Sequence, residues 1–107
     1  MSVTVKVKND FVHLALEVQA RLSTAVDMTA AGIKDDAQGR SPDQLGISRK
    51  WRILNRGLYK KVVQNGEYRA VFYEHGTPFL PQVAMLAPAV EGQVTKFEKR
   101  LKLALEK

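Results

Sequence analysis

Apolar and polar positions alternate at the start of the chain, with Val3, Val5 and Val7 set against Thr4, Lys6 and Lys8. That is the period of a half-buried strand. Asn9 and Asp10 supply helix-capping chemistry. Beyond them Phe11, Ala15, Val18, Leu22, Val26, Thr29, Ile33 and Ala37 recur at three- and four-residue steps. This rhythm lays one apolar stripe along a helix of about seven turns. Gly32 weakens that helix slightly, and Gly39 is placed to end it near Arg40.

Residues 41–48 (SPDQLGIS) are turn-rich and predict a loop. In the following KWRILNR run, Trp51 and Ile53 fall on one side of a predicted strand, with Lys50, Arg52, Leu54 and Arg56 on the other. Gly57 interrupts it. Residues 58–64 and 67–74 are both β-prone and are separated by Asn65-Gly66, a strong signal for a two-residue hairpin turn. The register it implies sets Val63 against Tyr68 and Val62 against Arg69, giving a hairpin apolar on both faces. Pro88 is expected at the first position of a closing helix. Val90, Val94, Phe97, Leu101, Ala104 and Leu105 form its stripe, and Glu98 and Lys102 a supporting pair. The pattern predicts an α+β fold in the order β-α-β-β-β-α, an antiparallel sheet packed against a long N-terminal helix and a C-terminal helix.

Composition narrows the class. A chain of 107 residues, 45% hydrophobic and 26% charged, is expected to form a single domain over residues 1–107. Without cysteine there is no disulfide framework, thiolate nucleophile or thiolate zinc site. No apolar run reaches the roughly 20 residues of a membrane helix, and the alternating N-terminus does not resemble a secretory signal. These readings lead us to expect a product that stays off the membrane and is made in the cytoplasm. The net charge of +6 favours an acidic partner. Arg49, Lys50, Arg52, Arg56, Lys60 and Lys61 lie in a stretch with no carboxylate between Asp43 and Glu67, and these six equal the whole excess. Three readings of this basic face stand side by side: a track for nucleic-acid phosphates, a solvated edge strand that deters pairing, and a surface for an acidic protein or a neighbouring copy.

Candidate chemistry is sparse. His13 falls beside the main stripe of the first helix and is expected at the surface. On a strand, Glu74 and His75 would point to opposite faces, which disfavours a shared metal. Asp35 and Asp36 diverge by about 100° on a helix. No nucleophile-elbow, zincin or phosphate-loop motif is present. The expectation is a non-enzymatic chain without cofactor or metal, with a small hydrolase built on Glu74 and His75 as a remote competitor.

One stretch stands apart. EYRAVFYEHGTPFLPQVAMLAPAVE resembles the signature of the tail-completion, or neck, proteins of tailed double-stranded DNA phages, the family of the lambda minor tail protein Z. Members typically show a strand ending in Tyr, then E-[FYH]-G-T, then a proline-rich passage to F-L-x-P-A and a final helix. The corresponding residues are Tyr73, Glu74, His75, Gly76 and Thr77, then Pro78, Phe79 and Leu80, with Pro88-Ala89 opening the helix. A weaker match lies upstream, where Ala37, Ser41, Pro42, Asp43 and Gly46 resemble A-x-x-x-[AS]-P-x-D-T-G. There Asp43 follows Pro42 directly, and Gln44-Leu45 take the threonine position. The resemblance implies a virion structural protein that caps the tail as a homo-oligomeric ring, commonly a hexamer. Such a ring joins the tail tube protein to the head–tail connector, or stopper, with possible contact to DNA in the channel. Trp51, Tyr73, Glu74, Gly76, Thr77, Phe79 and Leu80 are then the expected contact residues. The alternative is a small basic nucleic-acid-binding module.

Overall fold

The computed structural model describes residues 1–7, 16–78 and 81–105. The first strand, β1 (Ser2–Lys6), leads to helix α1 (Leu16–Gly39), a 3-10 turn (Gln44–Arg49), strands β2 (Trp51–Asn55) and β3 (Lys60–Asn65), and helices α2 (Ala70–His75) and α3 (Leu86–Leu105). The expected α+β class holds. The order is β-α-β-β-α-α, with three strands rather than four.

The sheet runs β1-β3-β2, antiparallel throughout, so β3 is central. Its neighbours meet it with Val3 and Ile53 against Val63, and with Ser2 and Arg52 against Gln64. This arrangement explains why the expected Asn65-Gly66 hairpin does not form. Both edges of β3 are already occupied, one by β1 from the far end of the sequence and the other by β2. A strand after Gly66 would have no edge to pair with. The turn chemistry is diverted as well. Neither Asn65 nor Gly66 takes the positive φ that a type I′ turn demands. Instead the Asn65 side chain donates to the Ile47 carbonyl at 2.8 Å and accepts from the Glu67 amide at 2.8 Å. Residues 70–75 then coil into α2, which buries Ala70 and Glu74 one turn apart.

The α1 stripe packs as expected: Leu22, Val26, Thr29, Ile33 and Ala37 are all buried. Phe11, Ala15, His13 and the Asn9-Asp10 cap lie outside the described residues. The core joins α1 to Val5, Val63 and Trp51 of the sheet, to Ile47, and to Met85, Leu86 and Ala89. Helix α3 runs antiparallel along α1 with a rotated stripe. Leu86, Ala89, Gln93 and Ala104 are buried, while Val94 and Leu105 are exposed. The polar seam between the helices sets this rotation. Arg100 Nη1 donates to Thr29 Oγ1 at 2.9 Å and to Gln93 Oε1 at 3.3 Å. The Gln93 amide lies where a Cβ on Gly32 would stand. Pro88 is the third helical residue rather than the first, still within the turn whose N–H groups lack helical partners. Glu98 and Lys102 form no ion pair among the described residues.

Candidate functional site

The signature segment forms a joint between α2 and α3. Glu74 is 4% exposed. Its Oε1 accepts from the Met85 and Leu86 amides at 2.9 and 2.8 Å, and its Oε2 from the Ala87 amide at 3.2 Å. These are orphan donors at the start of α3, so Glu74 caps that helix from another element, with its negative charge at the positive end of the dipole. Gly76 follows at φ 75, ψ 164, a region open essentially to glycine. A Cβ there would stand 3.2 Å from Gln82 Cβ and its backbone N. The return path is sewn to α2 by Val83 N donating to the Tyr73 carbonyl at 2.7 Å and by Gln82 Nε2 donating to the Glu74 carbonyl at 3.0 Å.

The expected contact residues are therefore divided. Glu74 is spent on capping, Tyr73 is half-buried against the core, and Gly76 is half-buried in the turn. Thr77 and His75 are exposed. Phe79 and Leu80 lie outside the described residues. Trp51 is buried in the chain's own core at 5% exposure. Its Nε1 donates to Ser41 Oγ at 2.7 Å, and that hydroxyl donates to the Ala37 carbonyl at 2.6 Å. The indole thus ties β2 to the last turn of α1 and has no face left for a partner. In the loop between them, Leu45 and Gly46 adopt left-handed φ of 60° and 65°.

Sequence reasoning missed the surface that α2 and the turn ahead of it present. Tyr68 is 78% exposed, Phe72 48% and Val71 37%. Tyr68 lies in the turn ahead of α2, before the Arg69 cap, and Phe72 within the helix four residues on. Read as strand residues, Tyr68 and Phe72 share one face of a hairpin, against Val63 and Tyr59, and Val71 falls on the other. The Arg69 guanidinium lies 5.4 Å from the Tyr68 ring centre.

The six cations of the predicted basic face also separate. Lys50 Nζ pairs with Glu67 at 2.8 Å. Lys61, directly opposite Val5 and Asn55, points to the helix-covered side of the sheet. There its Nζ lies 3.6 Å from Asp27 and donates to Asn55 Oδ1 at 2.7 Å. Arg52, Arg56 and Lys60 stay on the opposite, exposed face, while Arg49 ends the 3-10 turn before β2 and is exposed there. Lys6, which sequence reasoning did not place with them, is the direct cross-strand partner of Lys60.

Glu67 explains why Lys50 leaves the set. Its carboxylate, 5% exposed, binds Arg69 Nε at 2.7 Å, Arg69 Nη2 at 3.2 Å and Lys50 Nζ at 2.8 Å. The Arg69 hydrogen bonds first, and the Lys50 bond second, lower its pKa from 4.5 to about 2. A carboxylate depressed by folding contributes stability that is complete above its unfolded pKa and is lost as pH falls toward the folded one. The melting-temperature advantage of the native protein over Glu67→Gln is therefore expected to be constant above pH 4.5 and to shrink between pH 4.5 and 2. Thermal melts across that range check it; an advantage that persisted unchanged at pH 2 would contradict it.

Among the described residues there is no group of three His, Cys, Asp or Glu side chains able to hold a metal. No described helix is long and apolar enough to cross a membrane. No protein-family model, curated protein or solved structure matches the chain.

Proposed function

We propose that this chain is a phage virion structural protein, a tail-completion subunit that closes into a ring at the head-proximal end of the tail and joins it to the connector. The observation that carries the reading is the exposed Tyr68–Val71–Phe72 ridge. It sits directly ahead of the Glu74-His75-Gly76-Thr77 signature and is held rigidly to the body by the Glu74 cap. Aromatic side chains on a fixed element are the usual anchors of protein contacts.

A second apolar surface favours closure between copies. Near the far end of α3, about 27 Å from its capped start, a mainly apolar groove between the helices is lined by Ala20, Met28 and Leu103 together with the charged Glu17, Arg21 and Arg100. Met28 is 51% and Leu103 66% exposed. Two different apolar patches at opposite ends of one body suit a heterologous contact, which repeats around an axis until it closes. The tail tube protein, the connector and further copies of the chain are the partners this reading requires. It assigns the chain to the virion and gives it no catalytic step.

The test is Phe72→Asp, with Tyr68→Asp beside it. Both positions are exposed, so stability should change by only about 0.5 kcal/mol, while a charge in an apolar contact should block assembly. We expect folded protein by circular dichroism that is absent from purified tails. Incorporation of both variants at the native level would overturn the role of the ridge.

A further inference from the structure

The exposed face of the sheet carries an arrangement that the tail-completion reading does not use. Side chains on this face come from Ser2, Thr4 and Lys6 of β1, Lys60, Val62 and Gln64 of β3, and Arg52 and Leu54 of β2, as the register and the two-residue period dictate. Among the described residues it bears no carboxylate. At one end, Lys6 stands directly opposite Lys60. Arg56 extends the same row on the other side, its amide donating to the Lys60 carbonyl at 3.0 Å. Three cations therefore span the three strands, about 10 Å across. None of the three makes an ion pair among the described residues. Arg52 lies one further turn of the pattern along β2, about 13 Å from Arg56. Among the described residues its polar partner on this face is the neutral Gln64 amide, whose oxygen, turned toward it, accepts from Nη2 at 2.6 Å and Nε at 3.1 Å.

Like charges directly opposite each other destabilise a sheet. Edge protection accounts for Lys6 and Arg56, but Lys60 is on the central strand, where no edge needs guarding. Beside the row lies an open cleft of about 530 Å³, bounded by Lys6 and Val7 on one side and by Arg56, Gly57, Leu58, Tyr59 and Lys60 on the other. Glycine at φ 133 keeps that rim low. An anion seated there would relieve the repulsion.

We infer that this face binds the phosphate backbone of nucleic acid, with Lys6, Lys60 and Arg56 around the cleft and Arg52 as an outlying contact. The chemistry favours nucleic acid over an acidic protein. Protein interfaces are depleted in lysine and built on aromatic anchors, whereas the described residues of this face include two lysines and two arginines, and the aromatic in the cleft lining, Tyr59, is half-buried with its hydroxyl donating to Gln19 Oε1 at 3.3 Å. A half-buried tyrosine tied to α1 through its hydroxyl is no platform for successive bases. Binding is therefore sequence-independent and carried by phosphate contacts alone. The inference stands without the tail-completion reading, since Phe72 lies on another surface and its variants leave these cations in place.

The test is fluorescence anisotropy with a labelled duplex of about 30 base pairs in a salt series. Four phosphate contacts predict a log–log slope near −3.6, so affinity falls on the order of 100-fold between about 50 and 200 mM salt. Lys6→Gln, Lys60→Gln and Arg56→Gln should each lower the slope by about 0.9. Lys96→Gln and Lys99→Gln, exposed on α3, should leave it unchanged. Circular dichroism of each variant separates loss of binding from loss of fold. No binding at the lowest salt, an equal effect of the α3 variants, or binding of polyglutamate or anionic vesicles in preference to the duplex would each overturn the proposal.

Discussion

Replacing Glu74 with alanine is expected to destabilise the protein by about 3 kcal/mol, a fall in melting temperature of about 10–20 °C for a domain of this size. The cost has two parts. Three amide donors at the start of α3 lose a charged acceptor, and two of them, on Met85 and Leu86, belong to residues that are buried and closed to replacement water. An ordinary helix cap is worth about 0.5–2 kcal/mol; this one serves three donors from a nearly inaccessible site. Glu74→Gln separates charge from geometry. Its carbonyl oxygen can keep the Oε1 bonds to Met85 and Leu86, but its NH₂ would face the Ala87 amide, so about half the loss should return. Melts followed by circular dichroism decide it. A Glu74→Ala protein melting within about 3 °C of the native one would mean that the joint is held by something other than this carboxylate.

Trp51→Ala is expected to have a comparable or larger effect, about 3–5 kcal/mol. The indole fills the core between β2 and α1 and its N–H joins the chain of bonds through Ser41 to the Ala37 carbonyl. Truncation leaves a cavity and removes the only donor to Ser41 Oγ among the described hydrogen bonds. Trp51→Phe keeps most of the packing and loses only that bond and part of the volume, so it should cost about 1–2 kcal/mol. Urea unfolding checks both. A loss below about 1 kcal/mol for Trp51→Ala would place the residue at the surface, where it could meet a partner after all.

These two residues show where the sequence could be read and where it could not. Helix α1 was legible because its stripe is decided locally: Leu22, Val26, Ile33 and Ala37 recur at helical spacing and all are buried. The strand at Trp51 and the burial of its indole followed from alternation in the same way. The Asn65-Gly66 turn failed because the outcome is decided by β1, nearly sixty positions away by rough sequence distance, which takes the β3 edge that a following strand would need. Once α2 had been read as a strand, Tyr68 and Phe72 were paired across a hairpin with Val63 and Tyr59 and Val71 was set on the other face, so the exposed ridge disappeared from view. Glu74 was legible as part of a signature but not as a cap, because its three donors lie more than ten residues downstream. The basic run was visible as a charge count. Its division into Lys50 on Glu67, Lys61 on Asp27 and a free row with Lys6 depends on strand pairing.

We propose a ring-forming subunit at the junction of tail and head. The most direct measurement is labelling of the protein in purified tails, imaged by electron microscopy and counted by quantitative mass spectrometry. The proposal predicts label confined to the head-proximal end, a small fixed number of copies per tail, and loss of both with Phe72→Asp. Tails that are complete and infectious without the chain, or label spread along the tube, would contradict it.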